Sequence, residues 1–158
     1  MISVVIATFN DERTLGQTLS ALVTAAVDGL VREVILGDAG STDDTLEIAD
    51  DAGARVVQGE GPAEARIAQA CLTARGDWML ILDADHAAPA GWDQAVVAHI
   101  KGGPDRAGYW GKTGPWPFGG KAQAVLVSRR LYDQVGGYGP AFVRRLGGRA
   151  RRLKMAGR

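Results

Sequence analysis

Residues 78–86 read Trp-Met-Leu-Ile-Leu-Asp-Ala-Asp-His (WMLILDADH): an unbroken apolar run, then two carboxylates separated by a single alanine. Such a run, entered from the Gly76-Asp77 turn, is the pattern of a strand buried on both faces. Asp83 and Asp85 therefore stand where a core strand ends. Charge in that position costs free energy unless the strand end opens onto solvent or a ligand.

The flanking sequence supplies the sheet that such a strand needs. Ile2–Thr8 is a β-branched run stopped by Asn10-Asp11-Glu12, and predicts the first strand. From Arg13 the apolar positions Leu15, Leu19, Leu22, Val23 and Val27 recur at helical spacing up to Gly29. Val31 and Val34-Ile35-Leu36 give a second strand, halted by GDAGST. Ser41 or Thr42 is expected to cap the next helix, with Asp43 and Asp44 in its first turn and Gly53 at its end. Arg55-Val56-Val57 is a short third strand, Ala63–Ala74 a helix opened by Pro62, and Trp78–Leu82 the fourth strand. A helix follows Gly91. The Gly/Pro-rich stretch 101–121, with Trp110, Trp116 and Phe118, reads as a loop across the face of the domain. Val125–Ser128 is one more strand, and Arg129–Val135 a short helix ended by Gly136-Gly137.

Strands alternating with helices through short connections define an α/β fold, a mostly parallel sheet with helices on both faces. Ligands of such sheets bind at the carboxyl ends of the strands. Thr8 and Asn10, Asp38, and Asp83 with Asp85 therefore share one edge. Two carboxylates in Asp-x-Asp spacing offer hard oxygen ligands that suit Mg²⁺ or Mn²⁺, with substrate phosphates completing the shell. GDAGST is not read as a phosphate loop, because Asp43 and Asp44 already occupy the positive end of the helix that follows. Asp38 is expected to accept from a neutral N–H or hydroxyl, such as a base or ribose; the alternative is an aspartate that stabilises its own turn.

Composition excludes several classes. The 158 residues are 46% hydrophobic and 23% charged, as in an ordinary globular domain. The lone cysteine, Cys71, rules out an intramolecular disulfide and suits a small core position. No apolar run approaches the ~20 residues of a spanning helix, and the start reads as a strand rather than a signal peptide, so a cytoplasmic protein is expected. Charge is unevenly distributed. No acid follows Asp133, while residues 144–158 hold seven of the eighteen basic groups. That leaves eleven basic against eighteen acidic groups in residues 1–143. The tail reads either as a solvated, partly frayed helix or as a contact for an anionic membrane surface, with nucleic acid disfavoured.

Taken in order, ISVVIATFNDE (2–12), EVILGDAGSTDDT (33–45), Arg66 ahead of Gly76-Asp77, and ILDADH (81–86) resemble the family 2 glycosyltransferases of small bacterial type. The resemblance runs almost continuously from Met1 to about Trp92. It implies the Rossmann-like GT-A nucleotide-sugar-binding fold and a metal-assisted transfer of sugar from a nucleotide-sugar donor, UDP- or other NDP-linked, to a glycan, lipid or small-molecule acceptor. By position, Thr8 and Asn10 would lie along the nucleotide, Asp38 would meet the base, and Arg66 the base or diphosphate. Asp83 would touch the ribose or metal, and Asp85 would ligate the Mg²⁺ or Mn²⁺ bridging the diphosphate. His86 and His99 read as loop and surface groups. The domain is expected over residues 1–143, with a nucleotide half (1–100), a divergent acceptor half (101–143) and a basic tail (144–158).

The sequence also departs from the family pattern. Ala7 stands where proline is usual, Ala39 replaces a frequent second aspartate, and Ala122-Gln123 replaces Asp-Gln. After Gly136-Gly137-Tyr138 the acidic pair that normally supplies the catalytic base is missing, leaving Asp105 and Asp133 as the acids of that half. The catalytic base is therefore unassigned. The sequence leaves open a donor-binding protein that acts without catalysis or only with a partner, and, less favoured, an adaptor working through the tail.

Overall fold

Side chains on the central strands alternate between two separate cores, and this fixes the layering. The structure, a computed structural model, describes residues 1–111, 123–139 and 141–155. Its strands are β1 (Ile2–Thr8), β2 (Val31–Asp38), β3 (Arg55–Gln58), β4 (Trp78–Asp83), β5 (Ala107–Trp110), β6 (Ala124–Ser128) and β7 (Ala150–Arg152), in one sheet of order β3-β2-β1-β4-β6-β5-β7. Among them β6 alone runs against the rest. Ile2, Val4 and Ile6 of β1 and Trp78, Leu80 and Leu82 of β4 enter one core, with Leu15 and Leu19 of α1 (Glu12–Ser20), Ala25 of α2 (Val23–Val27), Ala49 of α3 (Thr45–Asp51) and Val96 of α5 (Trp92–Lys101). Val5, Met79 and Ile81 enter the other, with Ile67 and Cys71 of α4 (Ala63–Thr73), Leu131 of α6 (Arg129–Gln134) and Phe142 of α7 (Phe142–Leu146). Strands apolar on both faces are thus covered by helices on both faces.

The expected mostly parallel α/β sheet is present, and several local expectations need correction. The helix drawn from Arg13 to Gly29 is two: Leu22 N donates to Leu19 O (2.9 Å), a three-residue bond that interrupts the ladder while Leu22 and Ala25 stay buried. Neither Ser41 nor Thr42 caps a helix. Helix α3 starts at Thr45, and the Ser41 hydroxyl bonds Asp38 instead. The loop expected over 101–121 contains β5, four residues too short and too rich in Gly and aromatics for a period to show. Trp116, Phe118 and Ala122 lie outside the described residues.

The Arg-rich segment starts on a helix, with Arg144 and Arg145 exposed on α7, but over its remaining described residues it does not continue as one. After α7 it makes a 3₁₀ turn at Gly147–Arg149 and enters the sheet as β7, parallel to β5. Leu153 N donates to Tyr109 O (2.9 Å), and the buried Leu153 side chain covers Gly108, where a Cβ would lie 2.5 Å from Leu153 Cδ2. Glycine at 108 is what lets this segment close on β5.

Candidate functional site

Strands β1 and β2 end in register, Thr8 beside Asp38, and a hydrogen-bond lattice ties together the loops that follow them. Asp38 is fully buried. Its Oδ1 accepts from Thr8 Oγ1 (2.9 Å) and Ser41 Oγ (2.6 Å), its Oδ2 from the N–H groups of Gly40 (2.8 Å) and Ser41 (2.8 Å). Burial alone would raise its pKa, but these bonds outweigh burial and hold the carboxyl below the usual range. With its acceptor positions filled, Asp38 fixes its own loop. This geometry matches the alternative that the sequence left open, an aspartate that stabilises its own turn.

Asn10 continues the lattice from a left-handed backbone (φ 54°). Its N–H donates to Ser41 Oγ (2.9 Å), and its Oδ1 accepts from Thr42 N (2.9 Å). Asp11 N donates to Thr45 Oγ1 (2.8 Å), Glu12 N to Asp43 Oδ2 (3.2 Å), and Asp44 N to Glu12 Oε2 (3.2 Å). Asp43, its pKa lowered by bonds to Thr45 and Glu12 that outweigh desolvation, is a charged acceptor here.

The question raised by DADH is answered at the end of β4. Ala84 is buried, and its carbonyl accepts from Thr18 Oγ1 of α1 (2.8 Å), which anchors the middle residue of the motif. Asp83 N donates to Gln123 O (3.1 Å), and His86 N to Asp83 O (3.3 Å), closing a turn. One ligand atom each of Asp83, Asp85 and His86 lie within 4.8 Å of one another, and His86 Nδ1 is 2.5 Å from Asp85 Oδ1. His86, assigned above to the loop, thus joins the two carboxylates. Its only signal in the sequence is its place directly after the motif.

A cleft of about 520 Å³ opens beside this group, lined by Asn10, Asp11, Glu12, Arg13, Thr14, Thr42, Asp43 and Asp85. Two of the expected site residues, Asn10 of the donor set and Asp85 of the metal pair, line it. Thr8 and Asp38 are buried and bonded to each other. Arg66 is neither exposed nor in the cleft: it is buried, with Nε donating to Gly37 O (3.2 Å) and Nη1 to Gly61 O (2.7 Å). Helix α4 is drawn so close to β2 that a Cβ on Gly37 would stand 2.8 Å from the Arg66 carbonyl oxygen. Phe9, 56% exposed at the end of β1, and Tyr138 were not singled out as site residues by the sequence. Burial first, then the negative charges of Asp83 and Glu64, push the Tyr138 phenol up to about 12.

The acids of the acceptor half stand apart. Asp105 pairs with Arg130 (3.8 Å) next to Pro104, whose carbonyl accepts from Ser128 Oγ. Ser128 is opposite Trp78, so this is the amino end of β4, away from Asp83. Asp133 is exposed on α6.

A mostly parallel α/β sheet carries at a strand end an Asp-Asp-His group that could hold a metal ion, and comparison with known proteins gives the family. The glycosyl transferase family 2 model matches residues 3–136, and the chain belongs to that family. It is 39% identical over 94 residues to a glucosyl-3-phosphoglycerate synthase of Mycolicibacterium paratuberculosis, a match covering 53% of this chain and 28% of that protein. The homologous synthase of Mycobacterium tuberculosis is 48% identical over 59 residues, covering 37% and 18%. The matched stretch is thus under a third of either relative. Among solved structures, the M. tuberculosis synthase in complex with Mn²⁺, UDP and glucosyl-3-phosphoglycerate superposes with TM-score 0.71 at 21% identity, covering 100% of this chain and 72% of that one. S. aureus TarS 1–349 superposes with TM-score 0.79 at 18% identity, covering 96% and 57%. These likenesses establish the GT-A fold. Among the described residues no helix is long and apolar enough to cross a membrane.

Proposed function

We propose that this chain carries the donor site of a metal-assisted glycosyltransferase, which moves a sugar from a uridine-type nucleotide-sugar to an acceptor hydroxyl. The convergence of Asp83, Asp85 and His86 at the end of β4, within a family 2 chain, carries this reading. Two carboxylates with one imidazole fit a divalent ion, and the nitrogen ligand favours Mn²⁺ over Mg²⁺. When bound, the ion supplies Lewis-acid stabilisation of the charge that develops on the leaving diphosphate. The chain's own residues do the rest. Asp85 and Asp83 face the diphosphate and ribose, and Asn10 lines the nucleotide path. Thr8 and Asp38 hold the two loops in shape, and Arg66 holds α4 against β2. Residues 1–100 form the donor half and 101–143 the acceptor half. The relatives' name makes 3-phosphoglycerate the first acceptor to try.

A donor of this class belongs to the cytoplasm, where nucleotide-sugars are made. The exposed Arg151, Arg152 and Lys154 at the sheet edge support an additional peripheral contact with an anionic membrane.

The test is calorimetric titration with UDP, with and without Mn²⁺. Tight binding that needs the metal and is lost in Asp85→Ala is expected, along with a UDP-dependent rise in Tm. UDP binding indifferent to both metal and Asp85→Ala overturns the reading.

A further inference from the structure

Among the described residues, the lining of the cleft beside Asp85 holds four carboxylates and a single cation. That cation is Arg13, the second residue of α1, exposed and with no side-chain hydrogen bond or ion pair to any described residue. Its isolation among acids has a cause. Asp11 Oδ2 accepts from Phe9 N (2.9 Å), Glu12 Oε2 from Asp44 N (3.2 Å), and Asp43 from Thr45 N (3.1 Å) and Glu12 N (3.2 Å). Asp85 is bound to His86. Arg13 also borders an adjoining groove with Glu47 and Asp51, and pairs with neither. The lattice between the two loops therefore engages the neighbouring acids and leaves the guanidinium with its donors unused.

We infer that Arg13 is the phosphate-binding cation of the donor site, its guanidinium taking phosphoryl oxygens of the nucleoside diphosphate whose metal is held at Asp85. The inference rests on the donor reading above and adds a residue to it. A nucleoside diphosphate carries more negative charge than one divalent ion neutralises, and an otherwise acidic cleft would repel the remainder. The planar fork of an arginine matches two phosphoryl oxygens at once, and its place on the first turn of a helix limits the freedom lost on binding.

The experiment titrates UDP and uridine, each with Mn²⁺, into the wild-type chain, Arg13→Ala and Arg13→Lys. Arg13→Ala is expected to weaken UDP about 10- to 100-fold while leaving uridine unchanged, with Arg13→Lys in between. A structural role would weaken both ligands by one factor, so an unchanged UDP-to-uridine ratio overturns the assignment. UDP affinity untouched by Arg13→Ala sinks this inference and leaves the donor reading standing. A wild-type chain that binds no UDP sinks both.

Discussion

Replacing Asp38 by alanine strips the Thr8 and Ser41 hydroxyls and the N–H groups of Gly40 and Ser41 of their common acceptor. Unsatisfied buried donors each cost free energy, so Asp38→Ala is expected to lose at least about 1–3 kcal/mol in urea unfolding. Asp38→Asn, which cannot accept all four bonds, should fall between. The pH dependence follows in sign. The folded pKa lies below the unfolded one, so the contribution is full above the unfolded value and is lost as pH falls through the folded value. Glu33 adds in the same direction: bonds from Ser3, Arg75 and Arg55 outweigh its desolvation. Stability measured by urea titration should therefore drop as pH falls below about 4, and drop less in Asp38→Asn. At this scale the sequence located Asp38 correctly at a strand end but could not say which way its carboxylate faced. Its partners come from residues 8, 40 and 41, and only the pairing of β1 with β2 brings Thr8 to it.

At the scale of elements, β5 and β7 form one cooperative edge. Leu153→Ala removes a buried side chain that packs over Gly108, and is expected to cost about 2–5 kcal/mol. Amide exchange should then accelerate in Tyr109 and Leu153 while β1 and β4 remain protected. Equal acceleration throughout would show that the edge does not open by itself. The strands of the parallel core were legible because burial on both faces writes unbroken apolar runs such as 78–82 and 34–36. Strands β5 and β7 have four and three residues, and their pairing joins segments some forty positions apart in the chain, so no local period marks them. The single long helix expected after Arg13 is a different case. There the apolar spacing was read correctly, and one three-residue bond at Leu22 divides the helix without disturbing that spacing.

Across the whole molecule, charge is sorted by position in the fold. Acids collect on the loops after β1 and β2, while Arg144, Arg145, Arg149, Arg151, Arg152 and Lys154 are exposed on the segment that ends in β7. The side chains of Arg145, Arg149 and Arg151 bond backbone carbonyls, as from Arg145 to Gly137 O and Arg151 to Gly148 O (2.6 Å), leaving the positive charge uncompensated by nearby acids among the described residues. Each basic side chain near an anionic surface is worth about 1 kcal/mol. The chain is expected to co-sediment with phosphatidylserine vesicles and not with neutral ones. Raised salt, or the double change Arg151→Gln with Arg152→Gln, should release it. Binding to both kinds of vesicle, or to neither, would remove the membrane contact.

The sequence by itself determined the central strands and the position of the acidic pair at their carboxyl edge. These follow from local rules: the burial of apolar runs and the directionality of strand–helix–strand connections. Only the tertiary structure decided what the polar side chains at that edge do. It turned Asp38 and Arg66 inward as loop and helix ties, brought His86 to the carboxylates, left the Arg13 side chain in the cleft without a partner among the described residues, and carried Asp105 to the opposite end of the sheet. The direction of a polar side chain depends on which distant donors reach it first, and that is set by how the strands pair, not by the residues on either side.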